Sequence, residues 1–331
     1  MKNSAKIFLF DADYDLDSLT LAITESIDKH IFGPLTGDVD ESYGWVPIWN
    51  SSGVSPKIEF VEDILVLMAQ RKFRKISSST LEHAVVQRWQ ELEKQDPKNW
   101  KLNQSSETRT VAQQKRELKT LVHSHLIKQA LPKFKNFEVM ISTKHRHLVI
   151  FNATWSQCDE ILSLLRKFTS SLKVKALGAD GNYKNTISNW ARNTNLPAQV
   201  AVCIGPLSLK NTSDKTDRVT YSNQSASANE VVLNLENDRY LTKVCLEFKS
   251  YIEFVVNEDL SISNVKYDPI FKELLLQNQL IYSQDKAAGE FCYEAEMAKL
   301  ALESLTFNEL ISNVCSSMMI DTLHIADKLD T

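Results

Sequence analysis

Two periods of apolar residues alternate along this chain and divide it into strands and helices. Ile7-Phe8-Leu9-Phe10 is a short apolar run of strand type. Leu19, Ile23 and Ile27 then recur at four-residue spacing behind Asp17-Ser18, a pair that can cap a helix. Gly33-Pro34-Leu35-Thr36-Gly37 breaks that helix, and Tyr43-Gly44-Trp45-Val46-Pro47 forms an aromatic turn. Phe60 to Met68 reads as one buried strand running into the cations Arg71-Lys72-Phe73-Arg74-Lys75. From there the period is helical. Ser77-Ser78-Ser79-Thr80 offers caps for a helix to about Lys94, and Asp96-Pro97 stops it. After a polar loop over residues 98–108, a second long helix is expected from about Glu107 to Ala130. Its apolar positions are Val111, Leu118, Leu121, Val122 and Leu126.

The strand period returns in Phe137, Val139 and Ile141, and Lys144-His145-Arg146-His147 turns the chain into Leu148-Val149-Ile150-Phe151. Ile161, Leu165, Phe168 and Leu172 suit one helix. Between 178 and 229 the Pro, Gly, Ser and Asn content predicts loops around short strands such as Val200 to Ile204. Leu241 to Phe248, Tyr251 to Val256 and Ile262 to Tyr267 are β-rich, with Asn257-Glu258-Asp259 as a turn. Residues 287 to 327 read as helix. The class is α+β, antiparallel sheets with long helices, in three sections: an α/β segment over 1–75, a basic helical and hairpin section over 76–175, and a β-rich section over 176–331 that ends in helices.

At 331 residues the chain is longer than one typical domain, and its 43% apolar and 24% charged residues are those of a folded globular protein. A disordered or collagen-like chain is thereby excluded. No run approaches the roughly 20 apolar residues that span a bilayer, and the apolar run after Lys6 is too short for a secretory signal, so a cytoplasmic protein is expected. The five cysteines, at 158, 203, 245, 292 and 315, are far apart and include no Cys-x-x-Cys, so buried free thiols are expected. Charge changes the picture most. Residues 1–70 carry 4 Lys/Arg against 12 Asp/Glu, residues 71–175 carry 21 against 9, and residues 176–331 carry 13 against 21. A chain of net charge −4 with one strongly basic third suits a polyanion partner. Acidic and basic regions packing on each other, within one fold or across a dimer, would look the same.

Most reaction chemistries lack their residues. The 8 glycines form neither a dinucleotide fingerprint nor a P-loop, and no G-x-S-x-G elbow exists. Asp11-Ala12-Asp13-Tyr14-Asp15-Leu16-Asp17 fails as an EF-hand, because Leu16 stands where glycine is needed and Ala22 where the bidentate glutamate is needed. Ile7 to Asp13 also resembles the first motif of haloacid dehalogenase-type phosphatases, with Asp11 as nucleophile and Asp13 as general acid. Asp15 departs from that motif, and Gly178-Ala179-Asp180-Gly181 only faintly echoes its distal acidic one. His123 and His125 lie about 200° apart on a helix and cannot share a metal; His145 and His147 could share a strand face but have no third ligand nearby in sequence. No cofactor or metal is expected. On the second long helix, by contrast, Arg109, Arg116, Lys119 and His123 fall along one flank, with Lys115 on the same helix, and Lys128, Lys133, Lys135, Lys144 and Arg146 extend the charge. Cations so spaced can follow phosphates without reading bases, although an ordinary solvated face has the same pattern.

The order of several segments is similar to that of the RdgC family of recombination-associated proteins. They are Gly44-Trp45-Val46-Pro47, Arg71-Lys72 before a helix, Leu131-Pro132-Lys133-Phe134-Lys135-Asn136-Phe137, Leu164-Leu165-Arg166-Lys167 with Ser171-Leu172, Leu241 to Phe248, Ile252-Glu253-Phe254-Val255 and Ile262 to Tyr267. The resemblance runs from about Lys6 to Asn313. It implies a horseshoe-like α+β subunit that pairs into a ring-shaped homodimer with a positive central hole. It further implies a non-enzymatic, nucleoid-associated protein that binds double-stranded DNA without sequence preference, single strands more weakly, and antagonises the RecA strand-exchange protein. Residue by residue, it places Arg71 and Lys72, the helix from Arg109 to Lys119 with Lys115 and Arg116, and Gln224 at DNA; Lys75, Lys128, Lys133 and Lys135 join these candidates from the charge pattern. Phe134 falls at the ring-closing contact, with core packing as its ordinary alternative. Ser222-Asn223 stands where relatives carry two lysines. The rival readings are the phosphatase on Asp11 and Asp13, and a protein-interaction scaffold that does not bind DNA.

Overall fold

The computed structural model describes residues 2–30, 41–49, 57–95, 111–179, 184–192, 195–214, 216–283 and 291–329. In chain order its elements are β1 (Ala5–Phe10), α1 (Leu16–Ser26), β2 (Glu41–Val46), β3 (Ile58–Val61), β4 (Ile64–Phe73), α2 (Ser78–Gln95), α3 (Val111–Gln129), β5 (Lys133–Ser142) and β6 (His147–Phe151). Then come α4 (Trp155–Leu165), β7 (Val174–Ala176), α5 (Lys184–Ala191), β8 (Val200–Val202), β9 (Gly205–Asn211), β10 (Arg218–Gln224), α6 (Asn229–Glu236), β11 (Arg239–Phe248), β12 (Ile252–Asn257), β13 (Ile262–Tyr267), α7 (Pro269–Ser283) and α8 (Tyr293–Leu329). The class is α+β.

The chain divides into two units, one of residues 1–30, 47–68 and 137–331, the other of residues 31–46 and 69–136. The first is built on an antiparallel sheet with strand order β10-β9-β11-β12-β13-β1-β6-β5-β4; β3 pairs with β4, β7 with β1 and β8 with β11. Strands far apart in sequence meet here: β1 pairs with β6 (Ile7↔Val149) and with β13 (Ala5↔Ile262). Ile7, Phe151, Phe248, Phe254, Phe271 and Phe307 are fully enclosed and anchor its core. A buried ion-paired group lies against that core. Lys2 Nζ is 2.7 Å from Glu138 Oε1 and 3.6 Å from Glu303 Oε2, and it also lies over the Phe151 and Phe307 rings. Although burial opposes its charge, the two carboxylates hold the Lys2 ammonium above its ordinary pKa.

The second unit contains β2, the segment of β4 from Ala69, the segment of β5 up to Asn136, and the helices α2 and α3. Its core is slight. Among the described residues only Trp45, Ala69 and Ile127 are buried apolar side chains in this unit, and α2 has none.

Local chemistry explains where the elements depart from sequence expectation. Helix α1 starts earlier than Asp17-Ser18 predicts: Asp15 is the N-cap and its carboxylate accepts from the Ser18 N–H at 3.0 Å, which draws Leu16 into the buried face. Phe60 to Met68 is a hairpin rather than one strand. Val61 pairs with Ile64, and Glu62 turns the chain with φ of 54°. Asp63 holds the turn by accepting from Ser142 Oγ at 2.8 Å. The helix expected to reach Leu172 ends at Leu165; Phe168 and Leu172 are buried from the irregular chain that follows. The region over 178–229, expected to hold loops around short strands, contains the short strand β8 where Val200 to Ile204 was expected, together with β9, β10 and the helix α5, and α7 precedes the helix expected at the end.

Candidate nucleic-acid interface

Strand alternation sorts the first group of cations. Within the second unit, Gln70 Nε2 donates to Asn136 Oδ1 at 2.7 Å, and Lys72 Nζ lies 5.8 Å from the centre of the Phe134 ring, so Gln70, Lys72, Phe134 and Asn136 share one face. Arg71 is on the other. Its Nε donates to Glu41 Oε2 at 2.8 Å, and its guanidinium stands 4.4 Å from the Phe73 ring centre and 6.0 Å from that of Tyr43. Glu41 and Tyr43 are two residues apart on β2, which places both on that face. Burial, and then the nearby Arg71 cation, hold Lys135 below the ordinary lysine pKa. Lys75, Lys133 and Phe134 are exposed, Phe134 at 57%.

Helix α3 carries the second group. Its apolar stripe packs on α2, leaving a groove lined by Leu92, Leu118, Val122 and Leu126 among others. Lys115 lies near that stripe rather than on the polar flank, with its Nζ 5.1 Å from the centre of the Trp89 ring on α2. Arg116 and Lys119 are exposed and about 60° apart round the helix, so they share a flank. Lys128 is exposed about 180° round from Lys119. Arg109 lies outside the described residues.

Gln224 belongs to the first unit, on the edge strand β10, where its Nε2 donates to Glu230 Oε2 at 3.0 Å. The fold thus puts Arg71 and Lys72, adjacent in sequence, on opposite faces, and sets Lys115 and Lys128 off the flank of Arg116 and Lys119 that the helical spacing singles out. Sequence reasoning missed Glu41, Tyr43 and Trp89, the groups that hold Arg71 and Lys115. Glu41 stands thirty residues before Arg71, and nothing in the local pattern couples them.

The acidic run after β1 has a different role from the one its spacing suggested. Asp13 pairs with Lys173 at 3.4 Å, Asp15 caps α1, and the Asp11 carbonyl accepts from Arg146 at 2.6 Å. The neighbours of β1 run antiparallel to it, whereas active sites of open α/β enzymes sit at the carboxyl ends of parallel strands. Asp180 and Gly181 of the distal motif lie outside the described residues. His145 and His147 stack with ring centres 6.1 Å apart, and His147 is fully buried, its pKa lowered to about 4 by burial and then by the His145 charge. Among the described residues no three His, Cys, Asp or Glu side chains are grouped to hold a metal ion, and no helix is long and apolar enough to cross a membrane.

Fold and site together define an α+β protein with a well-filled unit built on a sheet and a second unit whose cations sit on two strands and a helix pair. The chain belongs to the RdgC family: the family model described as "Putative exonuclease, RdgC" matches residues 1–319. The "Recombination-associated protein RdgC" of Pseudoalteromonas translucida is 25% identical over 286 residues, covering 85% of this chain and 89% of that one. The protein of the same name from Colwellia psychrerythraea is 21% identical over 306 residues, covering 92% and 93%. That from Neisseria meningitidis serogroup C is 24% identical over 210 residues, covering 63% and 68%. This membership sets aside the phosphatase reading of Asp11 and Asp13.

Proposed function

We propose that the protein binds double-stranded DNA without sequence preference, as a ring-shaped homodimer, and restrains RecA-dependent recombination at the nucleoid. The observation that carries this reading is the segregation of charge. Residues 31–46 and 69–136 hold 15 Lys/Arg against 9 Asp/Glu, a net of +6, while the rest of the chain holds 23 against 33, a net of −10. A polyanion is drawn to the first of these and repelled by the second. Exposed Arg116 and Lys119 on α3, with Lys75 and Lys133 near the strand ends, are the phosphate contacts we favour; Lys72, Lys115, Lys128, Lys135 and Arg109 contribute charge beside them. Glu41 holds Arg71 and Glu230 holds Gln224, so each would meet a phosphate beside a competing carboxylate. The exposed Phe134 ring is available for a contact with a second copy. The recombination role rests on family membership and on the names its relatives carry.

Binding to a labelled duplex, followed by anisotropy over a salt series, tests this. If roughly five to eight phosphates are neutralised, log affinity falls with log salt at a slope of about −5 to −7 and is the same for an unrelated sequence. Absence of duplex binding at low salt, with stable association to an acidic protein surface, would replace DNA by a scaffold role. The family description also names an exonuclease. An end-labelled duplex incubated with the protein and Mg²⁺ or Mn²⁺ stays full length on our reading, and its progressive shortening would make the protein an enzyme. A monomer in sedimentation at concentrations that bind DNA would rule out the ring.

A further inference from the structure

Two of the five thiols meet in space. Strands β8 and β11 pair antiparallel through Glu247↔Ala201 and Leu246↔Val202, so the next opposed residues are Cys203 and Cys245. The Cys203 N–H donates to the Cys245 carbonyl at 3.2 Å, and the Cys203 thiol donates to the Cys245 sulfur at 2.8 Å. Directly opposed antiparallel residues have the backbone separation that a disulfide requires. The fold also leaves room there: a Cβ added to Gly205 would stand 2.5 Å from Cys245 Sγ and 2.7 Å from its Cβ. Cys203 is half-buried between exposed Ala201 and Ile204, whereas Cys245 is buried in the middle of the sheet, opposite Val255 of β12.

We propose that Cys203 and Cys245 form a redox-reactive dithiol that a small-molecule disulfide oxidises to a cross-strand disulfide joining β8 to β11. Cys203, the accessible member, gives up its proton and attacks one sulfur of the oxidant; a mixed disulfide forms on Cys203 and one thiolate leaves. Cys245 then loses its proton and attacks the Cys203 sulfur, closing the protein disulfide and expelling the second thiolate. The two thiolates take up the two protons, so the dithiol is oxidised by two electrons and the oxidant reduced to two thiols. Access, not acidity, sets this order: the hydrogen bond between the sulfurs raises the Cys203 pKa and draws that of Cys245 below its ordinary value, which suits Cys245 to resolve the mixed disulfide once the accessible Cys203 has met the oxidant. The remaining cysteines are poor competitors. Cys158, Cys292 and Cys315 are all buried, and burial pushes Cys158 and Cys315 up to about 12.

The test uses the reduced full-length protein, incubated without oxygen with excess oxidised glutathione, then alkylated with N-ethylmaleimide in denaturant and mapped by mass spectrometry. The expected product is lighter by two hydrogens, has lost two of its five alkylatable thiols, yields a linked peptide pair containing Cys203 and Cys245, and returns to the starting mass with dithiothreitol. C245S is expected to retain one glutathione on Cys203, and C203S to retain none. Wild-type protein that keeps all its thiols, holds glutathione on Cys203 without resolving it, or links any other cysteine would overturn the proposal. The wild-type result decides even where a serine in the sheet weakens the fold.

Discussion

The two units spend their side chains differently. The first encloses Phe151, Phe248, Phe254, Phe271 and Phe307 completely, and even its lysine at position 2 is buried with two glutamates. The second buries three apolar side chains among its described residues, and α2 runs for 18 residues without one. Since burial is what stabilises a fold, the first unit bears the stability. The second instead keeps long cationic side chains at its surface, fixed locally by stacking on Trp89, Phe134 and Phe73. On the function proposed above, this surface meets a polyanion and so cannot also be a core. A mutation therefore has opposite expected consequences in the two units.

The sharpest way to break this contrast is to cut into each unit and compare. Phe307→Ala removes a ring packed edge-on against Phe151 at 5.2 Å and is expected to cost about 3–5 kcal/mol in urea unfolding. Leu121→Ala, which truncates a two-thirds exposed side chain at the rim of the α2–α3 groove, should shift stability by no more than about 0.5 kcal/mol. Equal costs would end the distinction.

Acid comes next. His147 is buried with its pKa lowered to about 4, whereas in the unfolded chain it titrates near 6.5. Between those values the unfolded state binds the extra proton, so stability is complete above about pH 6.5 and falls by about 3 kcal/mol as the pH drops to about 4. Denaturant midpoints over that range should show the fall, and His147→Leu should flatten it. An unchanged slope in that variant would assign the acid sensitivity elsewhere.

In the cationic unit the same logic predicts altered binding with intact stability. Arg116→Gln with Lys119→Gln should make the salt slope shallower by about two and weaken all duplex sequences alike, with unfolding unchanged within about 0.5 kcal/mol. An unaltered slope would remove this flank from the interface. The smallest effect is expected from Glu41→Gln, which releases Arg71. Stability should fall by less than about 1 kcal/mol, as for other partly exposed ion pairs, while DNA affinity rises. Weaker DNA binding would mean that Glu41 positions Arg71 rather than restrains it.

Much of the fold was legible because most elements carry one clean period. Leu241 to Tyr267 alternates between tight turns and became β11, β12 and β13; Ser77 to Lys94 begins at a serine whose Oγ accepts from the Thr80 N–H and became α2. The misread elements had competing local signals. Phe60 to Met68 is apolar on both sides of its turn, and Glu62 and Asp63 gave no glycine to mark it. Short strands were expected between 178 and 229, but β9 and β10 alternate polar residues with few apolar ones, so their positions were not marked. Of the candidate interface, the cationic character and the Arg116–Lys119 flank were readable from helical spacing. The partners of Arg71 and Lys115 were not, because Glu41 and Trp89 reach them through tertiary structure. The same holds for Cys203 and Cys245, which are 42 residues apart and touch only because β8 returns to β11.

The pairing of β1 has a consequence in time. Ala5 is joined on one side by Phe151 and on the other by Ile262, residues that the ribosome adds long after it. At about 5–20 residues per second, the last of these partners is synthesised roughly 13–50 s after the strand it completes. Until then the nascent chain holds an apolar strand with an unsatisfied edge, the kind of surface on which chains pair with one another. Speed of translation and access to chaperones should therefore govern the yield of this protein more than its final stability does.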